Sequence, residues 1–543
     1  MVTAEESAAE QHLTETPEGE RRSRFGWRPH FIDVALAALL ALATFVVHSM
    51  HYVFTAPFWT DEAWVAVSTK MSVRQVPHVT SVVPLGWSLL QRFIVFGGDQ
   101  RLRALPLLFS ALTVVVAFVL LRSLPWGSTM WSRVAGVLGG VAVLLAPSTL
   151  VRNDLKQYTA DAFATLLILF LMARTERSWS RRRLLVLAIS SLVLFTISVP
   201  VLFVAVAAFG ALLIASVLRR NWHQLAELAI VAGGSMIALG VIYLAIYKSH
   251  QGTSLTSYWN AYYLPHTAHG ALHYLNVRGH QMATYLGMGP LLLCVLLVLA
   301  GVATLVLIGQ PALAIAGPLL TLEMIVLGAA KKYPLFDERT SHFLTMVFAV
   351  YAAIGVAGIC VLVARRAAPI AALIAVAAMA LFAINVRGDI RVHSIPREDV
   401  RTPTQYAANH VQPSDVVLVN LSGNWGFAYY WPDDNVGWQP SKVVATDFLA
   451  GLPDDSRVIF AADRTKPAVD SAVARAVTEA ASRPGARIWI VRSHVTAAEN
   501  AAWQAAINRQ HVKVESVIRC SLLLLTPLPQ GADVVNAPVT VGC

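Results

Sequence analysis

Phe58-Trp59-Thr60-Asp61-Glu62-Ala63-Trp64 stands just beyond a long apolar run from Phe31 to Val53. Two adjacent carboxylates framed by tryptophans at the edge of hydrocarbon are costly to hold, so the stretch reads as a membrane face that carries chemistry. The rest of the chain agrees. Of 543 residues, 56% are hydrophobic and 14% charged, and the mean hydropathy is +0.58. That balance belongs to a polytopic membrane protein and excludes an ordinary soluble domain. The net charge of +10 would suggest nucleic acid in a soluble protein. Here the arginines cluster in short loops between apolar runs, so they report topology, and no nucleic-acid partner is expected.

A hydrocarbon layer about 30 Å thick takes about 20 apolar residues to cross. Stretches near that length fall at 32–53, 104–122, 133–151, 158–174, 184–199, 200–218, 226–247, 283–308, 312–330, 341–363 and 368–386. About eleven spans are therefore expected, with Pro200 marking the turn between the fifth and sixth. Residues 84–96 are apolar but too short to cross, and suit a helix lying at the interface. The polar, acidic stretch Met1–Glu20 has no periodicity, so residues 1–30 read as a disordered cytoplasmic tail. Arg21, Arg22, Arg24 and Arg28 precede the first run, which reads as an uncleaved span.

With that tail inside, the cytoplasmic loops carry Arg122 and Arg133, then Arg174, Arg177 and Arg181-Arg182-Arg183, then Arg219-Arg220, then Arg365-Arg366. The pattern is positive-inside throughout. It places Asp61, Glu62 and everything after the last span on the extracytoplasmic side. Two outer loops break the rule: Arg152-Asn153-Asp154-Leu155-Lys156, and Lys331-Lys332-Tyr333-Pro334-Leu335-Phe336-Asp337-Glu338-Arg339. Cations on the wrong side suit a retained anion such as phosphate. Headgroup contacts or ion pairs with Asp337 and Glu338 would also account for them.

Residues 31–387 form the membrane domain, and residues 388–543 change character. Short β-rich runs (Val416–Asn420, Arg457–Ala462, Arg487–Val491, Ser516–Leu525) alternate with helical stretches (Thr402–His410, Val469–Ser482, Thr496–Arg509). This reads as an extracytoplasmic α/β domain with a largely parallel sheet. It holds no GxGxxG or P-loop pattern, so nucleotide binding is unsupported. Cys294 and Cys360 lie in apolar spans as packing residues, whereas Cys520 and Cys543 could pair outside the cell.

Successive residues on a helix diverge by about 100°, so Asp61 and Glu62 do not make a matched acid–base pair. One could act chemically while the other positions a group, or both could hold a divalent cation. Alternatively, Thr60 or Asp61 caps a helix running from Glu62 to Met71. Asp161 opens the fourth span and needs a cavity or a cation such as Lys156 or Arg152. The loop 248–282 is rich in aromatic residues (Tyr258, Trp259, Tyr262, Tyr263), which suit a sugar or the membrane interface. His266, His269 and His273 share a helical spacing, and no carboxylate accompanies them to complete a metal site.

Several of these segments together resemble the GT-C membrane glycosyltransferases, especially the bacterial members related to protein O-mannosyltransferases and to the lipid A aminoarabinose transferase. The outer-face Asp61-Glu62 comes first. Pro84-Leu85-Gly86-Trp87-Ser88-Leu89-Leu90 resembles the family's interfacial helix, although many relatives carry a His-Pro pair there. Arg101-Leu102-Arg103-Ala104-Leu105-Pro106 resembles the start of its second span. Asn153-Asp154-Leu155-Lys156-Gln157-Tyr158 with Asp161 resembles the element opening its fourth, and Lys332-Tyr333-Pro334 with Arg339 its late basic loop. The likeness covers about residues 30–390.

The resemblance implies transfer of a sugar from a polyprenyl-phosphate donor to a glycan, lipid or protein acceptor outside the bacterial cytoplasmic membrane, with inversion. Asp61 would be the general base, and Glu62 would orient the acceptor or an optional divalent metal ion. Lys156, Lys332 and Arg339 would hold the phosphate, with Tyr158, Asp161 and Tyr333 as further substrate-binding residues. A lipid or solute transporter is the competing reading. The suspicious charges sit at span ends rather than along the spans, which favours chemistry at one face.

Overall fold

The computed structural model describes residues 30–79, 83–94, 99–151, 154–248, 258–384, 398–444, 446–518 and 521–528. Residues 1–29, Arg152, Asn153, the boundary expected at 387/388, Cys520 and Cys543 lie outside them, and with them the pairing open to those two cysteines.

Each of the eleven expected segments falls on one helix or on two consecutive ones. By length and composition, six helices among the described residues can cross a membrane, starting at Arg101, Tyr158, Val201, Trp222, Pro311 and His342. A seventh span results if Ala268–Leu286 and Leu291–Leu307, bent by 74°, count as one. Phe31–Val47, Thr129–Leu144 and Ala368–Ile384 are apolar but shorter. The count of eleven is therefore not reached on this measure. Breaks near His48 and Pro147 and the bend between Leu286 and Leu291 cut the apolar runs into pieces that hydropathy alone reads as continuous. Pro200 does sit at the start of the Val201–Leu218 helix, where the turn was expected.

Small residues bring the helices together, as packing in lipid favours. A Cβ on Gly301 would lie 2.0 Å from the Tyr351 carbonyl oxygen, and one on Gly355 would lie 2.3 Å from that of Leu297. The Leu291–Leu307 and His342–Ala364 helices thus touch backbone to backbone.

The bundle has two chemically distinct ends. Asp33 takes Arg122 at 3.0 Å and Arg133 at 2.9 Å, and Glu176 takes Arg219 at 3.0 Å. These arginines gather where the Tyr158–Arg177 helix finishes. Twenty residues at 1.5 Å each place its other end, next to Asp154 and Lys156, about 30 Å away.

The C-terminal region forms five strands in the order β4-β1-β5-β7-β6, namely β1 (Val416–Val419), β4 (Val458–Phe460), β5 (Ile488–Val491), β6 (Val512–Ile518) and β7 (Leu522–Pro527). The strand β1 is parallel to β4 and β5, while β7 is antiparallel to β5 and β6. The largely parallel expectation therefore holds for three strands. Ser516–Leu525, read as one run, contains the end of β6 and the start of β7, because an apolar run does not mark its own turn. The strands β2 (Gly437–Pro440) and β3 (Phe448–Gly451) pair separately.

Alternation along the strands splits the sheet into two faces. Val416, Leu418, Ile488 and Ile490 pack against the Lys466–Ala481 and Ala497–Asn508 helices. Val417, Val419, Trp489 and Val491 join a core that also contains Trp425, Phe427, Phe58, Ala63, Val67 and Trp87. One face of the α/β domain is thus completed by the segment that carries the paired acids.

Candidate active site

The acids lie in the first turn of the Thr60–Lys70 helix, with Trp59 in extended conformation as its N-cap residue. Neither Thr60 nor Asp61 is the cap. The Glu62 carboxylate reaches back to the Trp59 N–H at 3.4 Å, the reciprocal half of a capping box. Asp61 is left free to point elsewhere, and its negative charge favours the positive end of the helix.

The neighbours diverge as helical geometry requires. Asp61 Oδ2 accepts from Arg339 Nη1 at 2.6 Å, with 16% and 18% of the two side chains exposed. Glu62 accepts from Arg103 twice, Nε at 2.7 Å and Nη2 at 2.5 Å, with 2% and 0% exposed. Arg103 also donates to the carbonyls of Ala56 at 2.7 Å and Pro57 at 2.9 Å. This guanidinium ties together the chain leading into the helix and the start of the second span. Burial pushes the Glu62 carboxyl up, and the Arg103 charge works against that shift. Expected to orient an acceptor or metal ion, Glu62 has both oxygens engaged by Arg103.

Arg339 is set by its own loop. Asp337 Oδ2 accepts from the Arg339 N–H at 3.0 Å, the Thr340 N–H at 2.9 Å and the Thr340 hydroxyl at 3.2 Å. Tyr333 donates to the Thr340 carbonyl at 3.0 Å and packs edge-on against Phe203 and Phe343. Phe336 has a φ of 56°, a left-handed conformation that a bulky residue adopts only when its surroundings enforce it.

Lys156 is buried one layer behind this wall, its Nζ 3.6 Å from the centre of the Trp64 ring. Burial pulls its ammonium down to about 8; Asp61 and Asp154 oppose the shift and Arg339 adds to it. The Leu85–Phe93 helix props this loop: Trp87 Nε1 donates to the Leu155 carbonyl at 2.8 Å. Its start approaches so closely that a Cβ on Gly86 would sit 2.6 Å from the Thr196 carbonyl oxygen. Gly86 therefore has a packing reason.

Asp61, Glu62, Trp64, Asp154, Asp337 and Arg339 border one cavity of about 730 Å³, within the usual range for ligand sites, with Glu62 only 2% exposed and Asp61 16%. Tyr258, Tyr262, Arg278 and Gln281 form a second wall, with Arg278 stacked 4.3 Å from the Tyr262 ring centre. The remaining wall comes from the α/β domain through Leu421, Trp425, Val444, Asp463, Arg464 and His494. No signal in the amino-acid sequence marks these residues, since their strand ends meet only after the sheet is paired.

Of the other expected residues, Tyr158 and Asp161 are buried at the start of the Tyr158–Arg177 helix and do not border the cavity. Asp161 Oδ1 meets no hydrogen-bond partner among the described residues. Lys332 is exposed and outside the cavity. His266, His269 and His273 are exposed as well, and no group of three His, Cys, Asp or Glu suited to a metal ion occurs among the described residues. With both paired acids engaged by guanidiniums, the side chains as placed do not assemble a divalent-metal site.

The α/β domain is fastened to the acidic helix at several points. The Thr60 N–H and hydroxyl donate to Glu398 Oε2 at 3.2 and 2.9 Å, and Glu398 Oε1 bonds His494 Nδ1. The Phe58 N–H donates to the Tyr430 hydroxyl at 2.9 Å, and Lys70 Nζ to the Trp431 carbonyl at 3.2 Å.

No family model matches the chain, and no curated protein matches it. Solved structures do. ArnT from Cupriavidus metallidurans superposes with a TM-score of 0.53 in the apo state and 0.55 bound to undecaprenyl phosphate. Both comparisons are at 11% identity and cover 91% of this chain and 97% of that one. The archaeal oligosaccharyltransferase AglB from Archaeoglobus fulgidus, in complex with an inhibitory peptide and a dolichol-phosphate, gives 0.51 at 11% identity, covering 93% of this chain and 75% of that one. Identity this low speaks for the fold alone. The chain has the GT-C fold of these membrane glycosyltransferases, as the resemblance implied.

Proposed function

We propose that the protein transfers a sugar from a polyprenyl-phosphate carrier to an extracytoplasmic acceptor, with inversion at the anomeric carbon. The observation that carries this reading is the Asp61–Arg339 pair on the cavity wall, a candidate base in contact with a candidate phosphate holder. Two neighbours of the same fold were solved with undecaprenyl phosphate and dolichol-phosphate, which supports a lipid-phosphate donor. The arginines gathered at the far end of the bundle support an extracytoplasmic cavity.

In this reading the donor phosphate draws the Arg339 guanidinium away from Asp61 and frees the carboxylate. The acceptor's hydroxyl or amine attacks the anomeric carbon from the face opposite the phosphate. The bond from that carbon to the phosphate oxygen breaks, its electron pair leaves on the polyprenyl phosphate, and the acceptor proton passes to Asp61. Phosphate is a good leaving group, so no strong general acid is needed and one carboxylate suffices. Arg339 and Lys156 offset the charge growing on the phosphate. Tyr158 and Asp161 hold the start of the Tyr158–Arg177 helix behind Lys156, and Tyr333 holds the Arg339 loop. Lys332 meets the carrier outside the cavity. Glu62, locked by Arg103, is a positioning residue that fixes the helix on which Asp61 rides.

Incubation of the purified protein with a panel of polyprenyl-phosphate sugars tests the reading. Donor consumption that Asp61→Asn abolishes is the expected result. Full consumption by that variant would sink the base assignment. No consumption by the wild type, together with solute flux in proteoliposomes, would replace the reading with a transporter.

A further inference from the structure

The three parallel strands all aim their carboxyl ends at the cavity. Leu421 follows β1, Asp463 and Arg464 follow β4, His494 follows β5, and all four border the cavity. The central strand β1 has β4 on one side and β5 on the other. That reversal of strand order is where open α/β sheets leave a crevice for ligands.

We propose that this crevice is the acceptor subsite and that it takes a saccharide. The inference rests on the glycosyltransferase reading above. Beneath the crevice lies a built polar floor. Asn420 is fully buried and donates to the Ser493 carbonyl at 2.9 Å and to Glu499 Oε1 at 3.0 Å. The other Glu499 oxygen has no hydrogen-bond partner among the described residues and faces Arg464 Nε at 4.0 Å. Arg464 is thereby held by charge, and its guanidinium donates no hydrogen bond among the described residues. His494 is in the left-handed region, with a φ of 50°, and its ring is fixed by Glu398. A backbone held in that conformation aims a side chain at the expense of local stability, a common feature of ligand clamps. Trp425, 3% exposed, lines the same wall, and its indole N–H meets no acceptor among the described residues.

The chemistry of the walls selects the ligand class. On the α/β side Asp463, Arg464, His494 and Trp425 stand beside the aliphatic Leu421, Val443 and Val444, and the facing walls add the aromatic rings of Trp59, Tyr258, Tyr262 and Tyr285. Aromatic faces stack on sugar rings while carboxylates and guanidiniums take ring hydroxyls. A lipid chain would need the opposite proportion. Glu398 adds a mechanical consequence: one carboxylate holds His494 in the crevice and Thr60 at the start of the helix that bears Asp61. Acceptor grip and base position therefore share one support.

The test uses the full chain in nanodiscs with a donor that the wild type consumes. Octyl mannoside, octyl arabinofuranoside and a Ser/Thr-rich peptide serve as acceptor probes. The expected result is transfer to a saccharide, with KM for that acceptor raised about tenfold in His494→Ala and Arg464→Gln while kcat stays within about twofold. Undecaprenyl phosphate affinity should not change in either variant, and the milder His494→Gln should fall between wild type and alanine. Transfer to the peptide alone, or saccharide KM values unchanged in the variants, would overturn the subsite and leave the glycosyltransferase reading standing. A wild type that consumes no donor would overturn both.

Discussion

Asp61 and Glu62 are adjacent in sequence and each meets an arginine, yet the two pairs are built differently. The Glu62–Arg103 pair is sealed, bidentate and further bonded to backbone carbonyls. The Asp61–Arg339 pair is a single contact on a cavity wall with both side chains partly exposed. A sealed pair resists separation, because either charge left alone would be buried without a partner. An open pair can exchange its partner for a ligand at little loss. The acid that can work is the one held by a single, partly exposed contact.

Breaking the sealed pair should have the largest effect. Arg103→Met strands the Glu62 charge and is expected to destabilise the protein by about 3–5 kcal/mol, read as a lower melting temperature and poor recovery. The double variant Arg103→Met/Glu62→Met should regain most of that loss, since a packed apolar pair can replace a buried ionic one. No comparable gain is expected on removing both Asp61 and Arg339. Arg339→Lys comes next. The lysine keeps the charge but loses the planar fork, so transfer should fall about 10- to 100-fold with melting little changed. An equal loss of stability in this variant would erase the distinction between the pairs.

The smallest effect concerns Lys156. Its ammonium is depressed to about 8, so it is charged below that pH and neutral above it. Undecaprenyl phosphate affinity should therefore weaken several-fold as the pH rises through about 8, with a bound phosphate moving the transition upward. In Lys156→Met that step should vanish. A step of the same size in the variant would show that another group titrates.

Much of this contrast is legible in the amino-acid sequence. Asp61 and Arg339 stand out because charges at span ends need a reason, and the helical angle between neighbours already says that Asp61 and Glu62 part company. The partner of Glu62 is not legible there. Arg103 lies 41 positions away, in a segment that looks like the ordinary start of a span. Hydropathy does not show where a helix bends or breaks, as at the 74° turn between Leu286 and Leu291, because the apolar pattern runs on through it. The wall contributed by Asp463, Arg464 and His494 is hidden for a different reason. Those residues converge only once β1 has taken its place between β4 and β5, and strand order is a tertiary choice. The doubly apolar Val416–Val419 does carry a hint, since a strand buried on both faces needs a second layer. Nothing in it says that the layer is the helix of Asp61.

The most direct test puts Asp61→Asn and Glu62→Gln side by side, with thermal melting and donor consumption measured on the same preparations. Asp61→Asn is expected to melt with the wild type and to lose turnover by about 10²- to 10⁴-fold. Glu62→Gln should melt well below the wild type and keep near-normal turnover per folded molecule. The reverse pattern, with Asp61→Asn active and Glu62→Gln folded but dead, would contradict the assignment of base and support.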